Sequence, residues 1–190
     1  MPSRLPRNAP LAPFAPSTAN AARALNVHLQ ETSHGSLSLR YVLDADLSQI
    51  RIPATRTPRQ ADELWEHTCF EAFIRTTADS PAYYELNVSP STEWALYKFD
   101  DYHLNMTPIT PDRAPRISVT RDAHRLELEV DLDILSPGPT PTPTPTPTQT
   151  GALALAAVVE DADGELDYWA LNHPAPNPDF HHRDSFIISA

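Results

Sequence analysis

The segment 65–99 holds the densest group of polar and aromatic side chains in the sequence. It contains two runs that alternate as β-strands do, and successive side chains of a strand point to opposite faces. Glu71 therefore shares a face with Phe73 in the first strand, and Glu85 shares a face with Asn87 in the second. If the two strands pair, one face of the sheet offers two carboxylates and an amide beside aromatic rings.

This combination of side chains is what a sugar-binding site requires. The apolar face of a pyranose packs on an aromatic ring, and its hydroxyl groups need hydrogen-bond partners held in place. Two other interpretations stay open. Trp65 and Trp94 can be ordinary core or edge aromatics next to solvated carboxylates. Alternatively, Glu71 and Glu85 can form the carboxylate pair of a glycosidase, which needs the two groups about 5–10 Å apart.

The histidines in the last part of the sequence raise the question of a metal site. His181 and His182 are adjacent, so in a strand they point to opposite faces and cannot reach one ion without a turn. With His173 and Asp179 they could form a site of nitrogen and oxygen ligands. The alternative is that Arg183 pairs with a carboxylate and the histidines bond to the backbone at a sheet edge. We predict no metal ligand and no catalytic residue.

The composition argues against several classes of protein. The 190 residues include 25 acidic and 14 basic ones, which gives a net charge of −11. Such acidity argues against nucleic-acid binding, which needs basic residues to displace counterions from phosphates, and against docking on an anionic membrane. A single cysteine, Cys69, rules out an internal disulfide and gives no zinc cluster; we expect it to be a small buried residue. No run reaches the roughly 18 apolar residues that cross a bilayer.

Residues 1–24 are expected to be a flexible segment that leads into the folded domain. Prolines at positions 2, 6, 10, 13 and 16 interrupt every apolar stretch in it. A signal peptide needs a continuous apolar core of roughly 7–15 residues, and the prolines leave none. We therefore expect a cytoplasmic location.

From residue 25 to residue 190, the sequence predicts a single all-β domain. Polar and apolar residues alternate with a period of two in short runs separated by turn residues, which is typical of an antiparallel β-sandwich of the jelly-roll or immunoglobulin kind. A short helix is expected near Arg59, where Pro58 fits a first turn. The predicted strands are 25–29, 37–41, 69–74, 83–88, 94–99, 116–120, 126–130, 152–159, 166–171 and 186–188.

Residues 136–150 form an insertion of a different character. Between positions 139 and 148 the sequence repeats Pro-Thr five times. Because each proline fixes φ and removes a backbone donor, we expect an exposed, polyproline-like loop. It lies between two predicted strands, so we interpret it as an expanded loop and not as a domain boundary. A docking ligand for a proline-binding module is the alternative.

The run LWEHTCFEAFI, residues 64–74, resembles the W-x-x-D-x-V-E-x-F-I signature of family 9 carbohydrate-binding modules. These modules belong to the wider DOMON-like group of β-sandwiches. The similarity continues through YELNVSP (84–90) and WALY (94–97). The segments YWALNHP (168–174) and PDFHHRD (178–184) resemble the bacterial stand-alone DOMON-like proteins in particular. The resemblance implies a DOMON-like β-sandwich over the whole predicted domain except the Pro-Thr loop.

The same resemblance implies a function and a set of site residues. In the sugar-binding members a tryptophan before this strand stacks on the sugar, and a glutamate six positions later accepts hydrogen bonds from its hydroxyls. Trp65 and Glu71 have that spacing. A second aromatic, from near the C-terminus, completes the slot in those members. We therefore predict a non-catalytic module that binds a sugar or glycan without a cofactor. The predicted ligand-binding residues are Trp65, Glu71, Glu85, Asn87, Trp169, His173 and Phe180.

Two alternative functions remain at this point. Some DOMON-like proteins bind haem, which needs a His or Met axial ligand, and Met106, His103 and His173 are available. A protein-interaction domain would instead present an edge strand or an aromatic face, and the acidic charge favours a basic partner. The sequence leaves the oligomeric state open.

Overall fold

The computed structural model describes five parts of the chain, which are residues 8–15, 21–31, 37–77, 80–133 and 151–189. Within them the chain forms twelve β-strands, and every ladder that joins two of these strands is antiparallel. The architecture is all-β, as the sequence predicts. The strands are β1 (Ala9–Pro13), β2 (Ala22–Glu31), β3 (Leu37–Ala45), β4 (Cys69–Arg75), β5 (Tyr83–Val88), β6 (Trp94–Phe99), β7 (Thr107–Pro108), β8 (Arg116–Arg121), β9 (Arg125–Leu132), β10 (Ala152–Glu160), β11 (Leu166–Ala170) and β12 (Ile188–Ser189).

Helical structure in the described residues consists of three 3-10 helices, Leu47–Gln49, Leu64–Glu66 and Arg183–Ser185. No helix in this part of the chain is long and apolar enough to span a membrane. The helix predicted near Arg59 is wrong. The backbone there pairs instead with the start of β6, because Arg59 accepts a hydrogen bond from the Trp94 N–H at 3.0 Å.

The strands form one curled sheet in the order β7-β6-β5-β4-β10-β11-β1-β2-β3-β9-β8, with β12 beside β10. Strand β1 lies where the sheet folds over, since its first three residues pair with β2 and its last two pair with β11. The result is a β-sandwich. We call β2, β3, β9 and β8 the back layer, and β7, β6, β5, β4, β10 and β11 the front layer.

The two layers differ in how many faces are buried. In β9 of the back layer, Leu126, Leu128 and Val130 are buried, whereas Arg125 and Glu129 are exposed. This alternation is typical of a sheet with one solvated face. In the front layer, β10 has the sequence ALALAAVVE and is buried at every position after the first. Both faces of that strand are covered, as its continuous apolar run predicts.

Tyr41 of β3 joins the two layers across the core. Its ring packs on Phe70 of β4 at a centroid distance of 5.1 Å, and its hydroxyl donates a 2.8 Å hydrogen bond to the backbone oxygen of Glu71. Because side chains alternate along β4, Phe70 and Ala72 face this core, while Glu71 and Phe73 face outward. The core between the layers therefore determines which side chains β4 presents on its outer face.

A second apolar cluster covers the outer face of the front layer. It combines Phe73, Tyr83 and Phe99 of the strands with Phe180 and Phe186 of the segment after β11. Tyr83 and Phe99 stack with centroids 4.9 Å apart and ring planes 6° from parallel. The segment after β11 thus shields this face from water, and polar side chains among these rings become buried.

Strand β1 forms within the segment 1–24, for which the sequence predicts flexibility. The reason is alternation, since Ala9 and Leu11 are buried in the core while Pro10 is exposed. The fixed φ of proline is compatible with an extended strand, so the prolines do not prevent pairing. Strand β2 also begins before the predicted position, at Ala22.

A tight turn joins β10 and β11, which pair as an antiparallel hairpin. Gly164 has a φ of +93°, and its N–H donates a 3.1 Å hydrogen bond to the backbone oxygen of Asp161. Glycine adopts this φ without steric cost, which a residue with a Cβ does not. The predicted Pro-Thr loop, 136–150, lies outside the described residues.

The contact across the core yields a test of stability. Tyr41→Phe removes the hydroxyl and leaves the buried backbone oxygen of Glu71 without this donor. We expect the free energy of unfolding to fall by about 1–2 kcal/mol. Urea unfolding measures this loss, with Tyr84→Phe as the control, because no hydrogen bond of the Tyr84 hydroxyl exists among the described residues. Equal stabilities of the two variants would contradict a stabilising role for the Tyr41 hydrogen bond.

Candidate functional site

A pocket of about 850 Å³ opens on the outer face of the front layer. This volume lies in the range of roughly 300–1,000 Å³ that is usual for small-molecule sites. Strands β4 and β5 contribute its floor, and the 3-10 helix Leu64–Glu66 contributes part of its wall. Residues from the turn after β6, from β11 and from the segment 175–181 complete the wall.

Two glutamates form the polar part of the floor. In the ladder between β4 and β5, Glu71 lies opposite Asn87 and Phe73 lies opposite Glu85, so the two glutamates are diagonal neighbours on one face. Their side chains are almost fully buried, with residue exposures of 3% for Glu71 and 5% for Glu85. The pairing that places them together is the one that the alternation of the sequence predicts.

Glu85 is held by polar neighbours that carry no charge. The Asn87 amide donates a 2.7 Å hydrogen bond to its Oε1, and the Nε2 atom of His181 lies 3.7 Å from its Oε2. Burial raises the pKa of Glu85 to about 7, although the Asn87 hydrogen bond opposes this rise. Burial also lowers the pKa of His181 to about 4, so its imidazole is neutral near pH 7.

Among the described residues, the Glu71 carboxylate has fewer hydrogen-bond partners than the Glu85 carboxylate. Its Oε1 atom is buried and has no hydrogen-bond partner among the described residues. Burial, together with the charge of Glu85, raises the pKa of Glu71 well above its ordinary value. A buried acceptor without a donor costs free energy. Glu71 is therefore placed to gain a hydrogen bond from a molecule that enters the pocket.

Aromatic rings surround the two carboxylates. Trp65, on the helix before β4, lies edge-on to Tyr97 with ring centroids 5.8 Å apart. Phe180 packs near Tyr168 at 6.0 Å and near Phe73 at 6.3 Å. Trp65, Tyr168 and Phe180 all line the pocket. The arrangement offers ring surfaces for an apolar face and carboxylates for hydrogen-bond donors.

The rim is tied together by a hydrogen-bonded network. The Tyr102 hydroxyl donates a 2.9 Å hydrogen bond to Asp179, which joins the turn after β6 to the segment after β11. The His103 ring lies over the His181 ring with centroids 4.1 Å apart, and the Tyr83 hydroxyl is 2.7 Å from Nδ1 of His181. This network fixes the position of His181 above Glu85.

The structure brings most of the predicted site residues to this pocket. Trp65, Glu71, Glu85 and Phe180 line it. Asn87 is fully buried beneath it and acts on Glu85.

Two predicted site residues lie elsewhere. Trp169 faces the core between the layers and is only 3% exposed, because the alternation of β11 turns the neighbouring Tyr168 toward the pocket instead. His173 packs against Phe14 at 5.3 Å and its Nε2 lies 2.9 Å from the backbone oxygen of Ala12. Both residues lie outside the lining of this pocket, and their predicted role in ligand binding stays a prediction.

Sequence reasoning missed Tyr102 and Tyr168 as pocket residues. Tyr168 could have been identified from the sequence, because it is the neighbour of Trp169 in β11. If Trp169 faces the core, alternation turns Tyr168 toward the pocket. Tyr102 had no local signal, because its position depends on how the turn after β6 meets Asp179, 77 residues further along the chain.

The histidines near the end of the chain do not form a metal cluster. Among the described residues, no group of three or more His, Cys, Asp or Glu side chains could hold a metal ion. His182 accepts a 3.2 Å hydrogen bond from the Asp184 N–H, and Arg183 lies 3.7 Å from the Asp184 carboxylate. His181, in contrast, points to the pocket.

Two solved structures share the fold. A protein from Bacteroides uniformis ATCC 8492, proposed to bind carbohydrate, has a TM-score of 0.63 and 11% identity over 94% of this chain and 83% of that chain. A family 9 carbohydrate-binding module from Caldicellulosiruptor kristjanssonii, in complex with glucose, has a TM-score of 0.52 and 11% identity over 91% and 77%. Neither a protein-family model nor a curated protein matches the sequence. The chain has the fold of family 9 carbohydrate-binding modules, as its resemblance to their signature predicts.

The raised pKa of Glu85 predicts a pH dependence of stability. Its ordinary value is 4.5 and its value in the folded protein is about 7, so between these pH values the folded state binds more protons than the unfolded state. The stability contribution of the protonated group is complete below pH 4.5 and declines as pH rises through 7. Glu85→Gln removes this decline. The stability of the variant relative to the wild type should therefore rise by about 1–3 kcal/mol from pH 4.5 to pH 7.5.

Urea unfolding of both proteins at several pH values measures this difference. A pH-independent effect of the substitution, such as an altered hydrogen bond to Asn87, changes the free energy of unfolding by the same amount at every pH. It therefore does not change how the stability difference depends on pH. A difference that stays constant over this pH range would mean that Glu85 titrates normally in the folded protein.

Proposed function

We propose that this protein is a non-catalytic carbohydrate-binding module that holds its sugar in the pocket above Glu71 and Glu85. The observation that carries the proposal is the pair of buried carboxylates beside Trp65, one of which has an oxygen without a hydrogen-bond partner among the described residues. The fold supports the proposal, since one structural neighbour is a carbohydrate-binding module in complex with glucose.

The chemistry of a sugar fits the arrangement of the pocket. Hydroxyl groups donate hydrogen bonds, and bonds to a carboxylate are stronger than bonds between neutral groups. The Oε1 atom of Glu71 can accept such a bond without losing another partner. The C–H face of the sugar ring can pack on Trp65, which is half-buried and lines the same pocket.

The geometry favours binding over hydrolysis. A glycosidase places its two carboxylates on either side of the scissile bond, so that one protonates the leaving group while the other attacks or activates water. Glu71 and Glu85 rise from adjacent strands of one floor, and both experience the same burial. A sugar resting on this floor would meet both carboxylates from the same side.

The alternative functions find less support in the pocket. A haem pocket is apolar around an axial ligand, whereas two carboxylates lie on this floor and His173 lies outside it. His103 and Met106 do line the pocket. An interaction domain would expose its aromatic face, and here the segment after β11 covers that face.

Substitution of the stacking residue tests the proposal. Isothermal titration with a panel of monosaccharides and oligosaccharides that includes D-glucose should identify a ligand of the wild type. Trp65→Ala should weaken its binding at least about tenfold, because a stacked ring contributes apolar area and orientation. His173→Ala should leave the affinity unchanged, since His173 lies outside the pocket.

Circular dichroism should confirm that both variants fold. A folded Trp65→Ala variant with wild-type affinity would show that the sugar binds elsewhere. If no sugar of the panel binds to the wild type, the proposed function itself is wrong.

A further inference from the structure

We propose that the pocket selects sugars that carry a positively charged amino group. This inference deepens the proposed function and rests on it. It follows from the charges of the pocket, from the cations that pair with the other buried glutamates, and from the aromatic rings beside the floor carboxylates.

The pocket has an acidic lining. The described residues that line it include four carboxylates and neither a lysine nor an arginine. His181, which lies next to Glu85, is uncharged near pH 7 because burial lowers its pKa to about 4. Within the described parts of the chain, no cation therefore lies beside the floor carboxylates, and the acidic lining would repel an anionic ligand such as a sugar phosphate. The four carboxylates are Glu66, Glu71, Glu85 and Asp179.

The protein provides cations for its other buried glutamates. Glu93 has one arginine at 2.7 Å and another at 3.3 Å, and Glu160 has an arginine and a histidine, each at 2.8 Å. Glu85 has only uncharged partners, and Glu71 has an oxygen with no partner at all among the described residues. A buried carboxylate without a cation is costly. The two buried glutamates that lack a cation are the two on the pocket floor, which points to a ligand that supplies one.

An ammonium group fits the pocket better than a hydroxyl group does. It has three N–H donors and a positive charge, so it can bond to Glu71 and Glu85 together and stabilise their ionised forms, which burial alone disfavours. The faces of aromatic rings such as Trp65, Tyr168 and Phe180 also attract cations. A hydroxyl donates one hydrogen bond and brings no positive charge that would stabilise the ionised carboxylates. An amino sugar combines this cation with the ring face and hydroxyls of a sugar.

Matched pairs of sugars test this inference on the full chain. Isothermal titration at pH 6.5 compares D-glucosamine, D-galactosamine and D-mannosamine with the parent sugars D-glucose, D-galactose and D-mannose. We expect at least one amino sugar to bind tenfold or more tightly than its parent. N-acetyl-D-glucosamine, which has a neutral substituent at the same carbon, should lack this advantage.

Two variants assign the preference to the pocket floor. Glu71→Gln keeps the size of the side chain and removes the negative charge that an ammonium group would stabilise, so the preference for the amino sugar should fall to less than threefold. Glu129→Gln removes the same charge from the solvent face of the back layer and should retain the full preference. Thermal unfolding confirms that both variants fold.

The possible results separate the two proposals. Amino and parent sugars that bind equally would overturn the inference and leave the proposed function in place. An acetylated sugar that binds as tightly as the amine would also overturn it, because the pocket would then select shape and not charge. If neither class binds, both proposals fail. A preference that persists in Glu71→Gln would assign the recognition to another part of the protein.

Discussion

The pocket depends on one constraint, which is that the front layer must be covered on both faces. Its inner face packs against the back layer, where Tyr41 contacts Phe70 and binds the backbone of β4. With that face of β4 committed to the core, strand alternation leaves Glu71 no position except the outer face. The segment after β11 then crosses this outer face and places Phe180 beside the carboxylates. On a sheet that is covered on one face only, the two glutamates would be exposed to water; here they are buried.

The burial of these two glutamates costs stability. The other buried glutamates of the fold differ from them, because each is paired with a basic side chain. Glu93 and Glu160 are also buried, yet each is bonded to basic side chains, so this fold does pair buried acidic groups in other places. On the pocket floor the nearest ring nitrogen belongs to His181, which burial keeps neutral. Functional sites often retain such unfavourable groups, because a fully satisfied site has little to gain from a ligand.

The parts of this structure that sequence could predict are those that local alternation controls. The period of two placed Glu71, Glu85 and Asn87 on one face, because that inference needs only the strands and their pairing. Which of the neighbours Trp169 and Tyr168 lines the pocket was not predictable, since both are aromatic and composition alone does not select between them. His173 and β1 depend on contacts between the two ends of the chain, as the bond between His173 and Ala12 illustrates. Such long-range contacts leave no periodic signal in either segment.

The floor and the rim of the pocket are built by different means, and this difference bears on how ligand choice can vary within one fold. The floor consists of strands whose alternation is required by the core, so its side chains have fixed directions. The rim consists of irregular segments joined by single contacts such as the bond between Tyr102 and Asp179. Irregular segments of this kind diverge more readily among proteins of one fold than the strands that they connect. The alternation of the floor strands therefore explains why a polar pocket exists on this face, while the proposed choice of ligand rests on the pairing of each floor carboxylate.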